Sequence, residues 1–358
     1  MMRGKSIYLF IIILSLSIGF FLAYSNRYYL DKPISFNKHN TSQKRNKTVQ
    51  SKDNIVSITL SAAGDCTIGY DTNFGYGNRF DKVFKDVGND YSYFFRNVKD
   101  IFDKDDITYV NLEGTFTNET VKVEKRFNFK STPDFVNVLK EGSIEIVGVA
   151  NNHSYDYGNK GFEETIDTLN KNNVEYFGYD KYLIKEIKSI KIGFFGLIDI
   201  ANKKYSDIDK AINYLKEQNC DLIIAAIHWG DEGYLNQNNG QIKQAHYMID
   251  NGVDLVIGTH PHVIQGIEKY KDKYILYSLA NFVFGGNPNP KDKDTYIFQQ
   301  TFKFKNKDLI IDDNINVIPT MVSGTKNKNN YQPTIATGAD KERIINKINK
   351  HSINFEIK

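Results

Sequence analysis

A chain of 358 residues, 41% of them hydrophobic, can bury a substantial core in one large domain or two, which excludes a disordered protein. A net charge of only +3, with no stretch of clustered arginine and interleaved aromatics, argues against a nucleic-acid partner. The two cysteines, Cys66 and Cys220, lack C-x-x-C spacing, so a zinc ribbon is excluded and two free thiols are expected.

The first element is Ile7 to Tyr24, an uncharged run preceded by Arg3 and Lys5. As a helix it would span about 27 Å, close to the hydrocarbon core of a bilayer. Residues 1–25 are therefore expected to be a single-pass membrane anchor. Arg3 and Lys5 hold the short end inside, which places the rest of the chain outside the cytoplasm. Ala23-Tyr24-Ser25 offers small residues for a signal peptidase, and cleavage near Ser25 would give a secreted form. Residues 26–54 are polar and basic and read as a flexible tether.

From Ile55 strand-like runs alternate with helical stretches, which indicates an α/β domain. Strands are predicted at Ile55 to Ala62, Ile107 to Asn111, Ile144 to Ala150, Val174 to Gly178, Ile190 to Leu197, Leu222 to Ile227, Leu255 to Gly258 and Lys273 to Leu279. Helices are predicted at Gly161 to Asn172 and Gly240 to Asn251, where apolar residues recur at three- and four-residue steps. After a Gly/Asn/Pro loop at 285–290, Thr295 to Phe304 and Leu309 to Val317 alternate as an antiparallel pair joined by 305–308.

Five polar stations end successive apolar runs: Gly64-Asp65, Asn111-Leu112-Glu113-Gly114, Asn151-Asn152-His153, His228-Trp229-Gly230 and Gly258-Thr259-His260-Pro261-His262. Ligands of α/β sheets gather outside the carboxyl ends of strands. Carboxylate, amide oxygen and imidazole brought there together suit divalent metals such as Mn, Fe or Zn, and the pattern reads as a two-metal site. Four of the seven histidines, His153, His228, His260 and His262, fall at these strand ends. Each station alone has a plainer reading as a turn, and Asp231 and Glu232 read equally as supports of the ligands or as solvated loop carboxylates. Trp229 is open between a pocket wall and the core, while Cys66 reads as packing.

The series Ala63-Gly64-Asp65, Asn111-Leu112-Glu113, Phe127 to Pro133, Asn151 to Gly158, Ile227 to Glu232, Gly258 to His262 and Tyr277 to Phe282 resembles the CapA proteins of bacterial poly-gamma-glutamate capsule synthesis. Those proteins are related to the calcineurin-like metallophosphoesterases. The resemblance implies a metallophosphatase-like four-layer α/β/β/α sandwich over 55–284, following the N-terminal membrane helix. Residues 285–358 are then a β-rich extension completing the second sheet, with a tail. It also implies that Glu113 bridges two metals, with Asp65 and His262 on the first, Asn152, His228 and His260 on the second, and His153 as proton donor. Thr67 stands where the phosphoesterases carry a histidine, which weakens the first site. Ala280 stands where CapA proteins usually show glycine, a change that matters only if the backbone there has positive φ.

Three functions are compatible with these residues. One is a role in making or exporting poly-gamma-glutamate or a similar anionic polymer, with the membrane and membrane-bound synthase components as partners and Arg126 or Lys130 as polymer contacts. The second is a two-metal phosphoesterase or other metal-dependent hydrolase. The third is a non-catalytic scaffold with a degenerate metal site.

Overall fold

Alternation of buried side chains builds two facing sheets. In the strand Ile55–Thr67, Ile58, Leu60 and Ala62 point to one apolar cluster, while Ala63 and Cys66 belong to another. In Leu222–Trp229, Leu222, Ile224 and Ala226 join the first cluster, and Ile223, Ala225, Ile227 and Trp229 line a third. A strand buried on both faces must be apolar at successive positions, which is why these segments read as continuous hydrophobic runs. Each fully buried Ile or Leu contributes about 1.5–3 kcal/mol.

The computed structural model describes residues 55–75, 77–199 and 205–357. All of them lie in the unit Lys52–Lys358. The expected membrane anchor, 1–25, and tether, 26–54, lie outside the described residues. Among the described residues no helix is long and apolar enough to cross a membrane.

The larger sheet runs in the order Thr334–Ile335, Ile315–Met321, Asp294–Lys305, Ile55–Thr67, Ile107–Leu112, Ile146–Gly148, Glu175–Phe177, with Asn281–Phe284 also paired to Ile55–Thr67 and Asp308–Ile310 to Asp294–Lys305. The smaller sheet runs Ile267–Tyr270, Lys273–Leu276, Leu255–Thr259, Leu222–Trp229, Ile190–Asp199, Leu183–Ile187. Between them lies a core that includes Ile58, Tyr109, Phe194, Ile224 and Ile257. Helices Gly158–Lys171 and Val136–Glu141 contribute Leu169 and Leu139 to the cluster on the outer face of the larger sheet. Tyr205–Glu217 and Asn239–Asp250 contribute Ile212 and Met248 to the cluster on the outer face of the smaller one. The layering is thus helix, sheet, sheet, helix.

Central strands are parallel in both sheets: Ile55–Thr67 with Ile107–Leu112, then Ile146–Gly148, and Ile190–Asp199 with Leu222–Trp229, then Leu255–Thr259. Their carboxyl ends therefore reach the same side of each sheet, which is what brings distant stations together.

Several elements depart from the sequence expectation. The first strand runs on to Thr67, carrying Asp65 inside it, because a register shift between Ala62 and Asp65 lets the chain keep pairing past Gly64. The expected second strand of the C-terminal pair is two strands, Asp308–Ile310 and Ile315–Met321, both paired to Asp294–Lys305. These strands extend the sheet of Ile55–Thr67, and the segment ends in the helix Gly338–His351. The helix expected from Gly240 starts at Asn239, where Asn238 and Gln241 form a reciprocal capping box.

Just before Ile107–Leu112, Asp105 accepts from the Thr108 hydroxyl at 2.8 Å, and burial pushes its carboxyl up to about 6. An unfolded Asp titrates near ~3.9, so between these values the folded state holds the extra proton, and this contribution to stability is lost as pH rises through 6. Asp105→Asn should therefore gain in melting temperature relative to the parent as pH is raised from 4.5 to 7.5. A difference that is flat across that range contradicts this reading of Asp105.

Candidate metal centre

The strand ends deliver a buried polar cluster. Asp65, Glu113, Asn151, His153, His228 and His260 are all buried, while Asn152 and His262 are half-buried. Glu113 follows directly on Ile107–Leu112, and its N–H donates to the Cys66 carbonyl at 3.0 Å, which ties it to the strand carrying Asp65. His228 is the next-to-last residue of its strand and lies in register with Thr259 on the neighbouring one.

Among the described residues three groups of donors emerge, each with its ligand atoms within 4.8 Å of one another: Asp65, Glu113 and His262; Glu113, His228 and His260; and Glu232, His260 and His262. Glu113 is common to the first two. Its Oε1 lies 3.7 Å from His262 Nε2 and 3.8 Å from His228 Nε2. Asn152 Oδ1 lies 2.9 Å from His228 Nε2, which places the amide oxygen with the second group. All six residues that the resemblance implies as ligands are thus brought together.

Whether these residues fit a cation can be judged from what they leave unbonded. Both carboxylate oxygens of Glu113, and Nδ1 of His260, are buried with no hydrogen-bond partner. Buried polar atoms are almost always paired, and an unpaired carboxylate is expensive to bury. Burial accordingly pushes Glu113 up, against the pull of His262. His228 is driven well below its ordinary value by burial and by the neighbouring imidazoles, and His260 is lowered by burial and by His262. Both are neutral near pH 7, the form that offers a lone pair to a metal. At His262 burial again lowers the imidazole, yet the facing Glu113 and Asp65 outweigh it and raise it. The donor set is compatible with a divalent cation.

A surrounding ring of polar contacts fixes these side chains. Asn111 Nδ2 donates to Asp65 Oδ1 at 2.7 Å, and its own Oδ1 accepts from Asn151 Nδ2 at 3.1 Å. His228 Nδ1 lies 3.0 Å from Thr259 Oγ1, and His262 Nδ1 lies 2.9 Å from Asn281 Oδ1. His153 Nδ1 lies 2.8 Å from Asp156 Oδ2, and the Phe129 ring packs 4.3 Å from the imidazole. Lys125 forms an ion pair with Asp156 and donates to the Asn152 carbonyl at 2.8 Å. Burial lowers His153 in spite of Asp156. The sequence reading gave no role to Asp156, although its place three residues after His153 was a usable signal. Lys125 comes from a loop with no periodicity to mark it.

The backbone at the site is unusual. His260 and His262 have φ of 97° and 57°, and Ala280 has φ of 65°. Non-glycine residues in this region are uncommon and are held there by their surroundings. Ala280 is thus in the conformation glycine favours, but its methyl is fully buried in the inter-sheet core. Relief of about 1–2 kcal/mol of left-handed strain is offset by the lost methyl burial and the greater entropy of an unfolded glycine. Ala280→Gly should therefore change the unfolding free energy by less than about 1 kcal/mol, whereas the β-branched Ala280→Val should cost more. Equal urea midpoints for the Gly and Val variants would contradict this.

The remaining expectations resolve simply. Trp229 is a core residue: it is buried, its Nε1 donates to the Tyr277 carbonyl at 2.9 Å, and its ring stacks on Tyr277. Cys66 is buried in the outer core of the larger sheet, and both Cys66 and Cys220 are free thiols. Thr67 is buried, with its hydroxyl unpartnered.

A family model described as bacterial capsule synthesis protein PGA_cap matches residues 59–286, a span that contains every station. The chain is 29% identical over 231 residues to the PGA biosynthesis protein CapA of Bacillus subtilis (strain 168), covering 58% of this chain and 60% of that protein. It is 26% identical over 324 residues to the capsule biosynthesis protein CapA of Bacillus anthracis, covering 82% and 73%. The chain therefore spans less than two thirds of the Bacillus subtilis relative. Among solved structures, a hypothetical protein from Thermus thermophilus aligns over 73% of this chain and 98% of its own, with 13% identity and a TM-score of 0.45.

Proposed function

The chain belongs to the bacterial capsule synthesis protein family, and from that premise we propose that it takes part in making or exporting a capsule of poly-gamma-glutamate or a similar anionic polymer. The observation that carries this reading is the match over residues 59–286 to a family whose relatives are named for PGA and capsule biosynthesis. On this reading residues 1–25 anchor the protein in the membrane, the α/β unit works outside the cytoplasm, and membrane-bound synthase components are its partners. Arg126, exposed beside Lys125, is a cationic contact for an anionic polymer.

Within that process the site acts as a metal-dependent hydrolase on a metallophosphatase-like four-layer fold, cutting a phosphoester or an amide of the polymer. What favours hydrolysis is the convergence of two donor groups on the unbonded Glu113 carboxylate. Asp65, Glu113 and His262 would hold one cation, and Glu113, Asn152, His228 and His260 a second. Bound divalent cations supply charge neutralisation and an activated water at the reacting centre. His153 is placed to pass a proton to the leaving group: Asp156 fixes Nδ1, Lys125 steadies Asp156, and Phe129 shields one side from water.

Deleting the gene in its host and measuring cell-bound and released polymer tests the process, and complementation with His153→Ala tests the mechanism. The expected result is altered polymer amount or chain length that the wild-type gene restores and His153→Ala does not. Unchanged polymer in the deletion strain would refute the capsule role. Full restoration by His153→Ala would refute hydrolysis and leave a scaffold.

A further inference from the structure

We infer that Glu232 is a ligand of the metal site, completing the group that Asp65, Glu113 and His262 leave one donor short; this rests on the metal-site reading above. A carboxylate oxygen of Glu232 and ring nitrogens of His260 and His262 all lie within 4.8 Å of one another. Two donors on one cation, each about 2.1 Å from it, are at most about 4.2 Å apart, so to share a cation with His262 the carboxylate needs to close on that imidazole by about 0.6 Å or less. Glu232 is exposed at the end of a flexible side chain, and such a shift is within its rotamer freedom.

The loop bearing it is built to hold the backbone while leaving the carboxylate unused. Gly230 and Gly233 both have φ of 78°, turning the chain on either side, and Gly233 N–H donates to the Pro261 carbonyl at 2.8 Å. That bond ties the loop to the residue between the two histidines. Gln265 Nε2 donates to the Tyr234 carbonyl at 2.9 Å and the Asn236 carbonyl at 3.2 Å, which pins the loop's far end. Asp231 is turned to Asn238, whose Nδ2 lies 3.4 Å from Asp231 Oδ2.

Beside Glu232, His260 is 4% exposed and its Nδ1 has no hydrogen-bond partner, so a buried polar atom on this side of the site is left for a ligand. The count of donors points the same way. The group around His228 has Glu113, His228, His260 and the Asn152 oxygen, whereas the group around His262 has only Asp65, Glu113 and His262. Thr67, two residues beyond Asp65 on the same strand, brings a hydroxyl and no imidazole. With Glu232 added, that group carries three carboxylates and one imidazole, a harder set than its neighbour and one suited to Mn2+ over Zn2+.

The test is Mn2+ binding to the purified full-length chain, by titration calorimetry and elemental analysis, in the parent, Glu232→Gln and Asp231→Asn. Glu232→Gln should weaken the looser Mn2+ site about tenfold or more, on the scale seen when groups around a metal are removed. Asp231→Asn, which removes the same charge one residue away, should leave both affinities unchanged, and all three chelator-treated proteins should melt alike. Unchanged Mn2+ affinity in Glu232→Gln overturns the assignment, as does an equal loss in Asp231→Asn, which would mean a field effect and not ligation. A parent protein that binds no Mn2+, Fe2+ or Zn2+ would instead refute the metal-site reading itself.

Discussion

Glu113→Ala should strip the protein of metal more completely than Asp65→Ala. Glu113 is the one residue shared by both donor groups, whereas Asp65 belongs to one of them. Removing Asp65 leaves Glu113, His228 and His260 together, with the Asn152 oxygen beside them, so one cation should remain. Removing Glu113 takes a donor from each group and leaves four clustered imidazole and carboxylate side chains without their centre. The electrostatics agree, since Glu113 is fully buried with neither carboxylate oxygen hydrogen-bonded, a cost that only a cation or a proton offsets. Elemental analysis of the two variants, purified side by side without chelator, decides it. Equal retention of metal in both would sink the bridging role.

Gly64→Ala should be among the most damaging single-methyl additions in the chain. A Cβ on Gly64 would lie 1.9 Å from the Ala280 carbonyl oxygen and 2.9 Å from its carbon. Both are backbone atoms, so no side-chain rotation relieves the clash. Asp65 N–H donates to the same carbonyl at 2.9 Å, and Asp65 is in register with Asn281. Pushing these strands apart therefore breaks that bond and displaces a ligand at once. Overpacking at a site that cannot relax costs about 3 kcal/mol. The urea midpoint should fall by a corresponding amount and metal content should fall with it. A midpoint matching the parent would contradict the close approach of the two strands.

How far the sequence speaks depends on the length scale of each feature. Leu222–Trp229 and Leu255–Thr259 were legible because a strand covered on both faces has to be apolar throughout, and the switch from Ile227 to His228 marks where it meets the site. That Asp65, Glu113, Asn152, His228, His260 and His262 would come together was legible because parallel strands expose their carboxyl ends on one side, so polar residues in those places share an edge whatever their distance along the chain. The small sheet of Tyr70–Asp71, Thr115–Phe116 and Phe129–Ser131 was not, since strands of two or three residues are too short to show a period. The helix Gly338–His351 also went unseen, because only Ile344 and Ile348 are buried in a run dominated by polar residues. Lys125 and the left-handed Ala280 depend on tertiary neighbours that no local pattern encodes.

The measurement that bears most directly on the metal centre is the divalent metal content of the full-length chain purified without chelator, taken together with its loss in Glu113→Ala. Two metals per chain in the parent, and none in the variant, is the result expected from Glu113 standing between the two donor groups. A parent chain that carries no divalent metal, and gains none on incubation with Mn2+, Fe2+ or Zn2+, would contradict it.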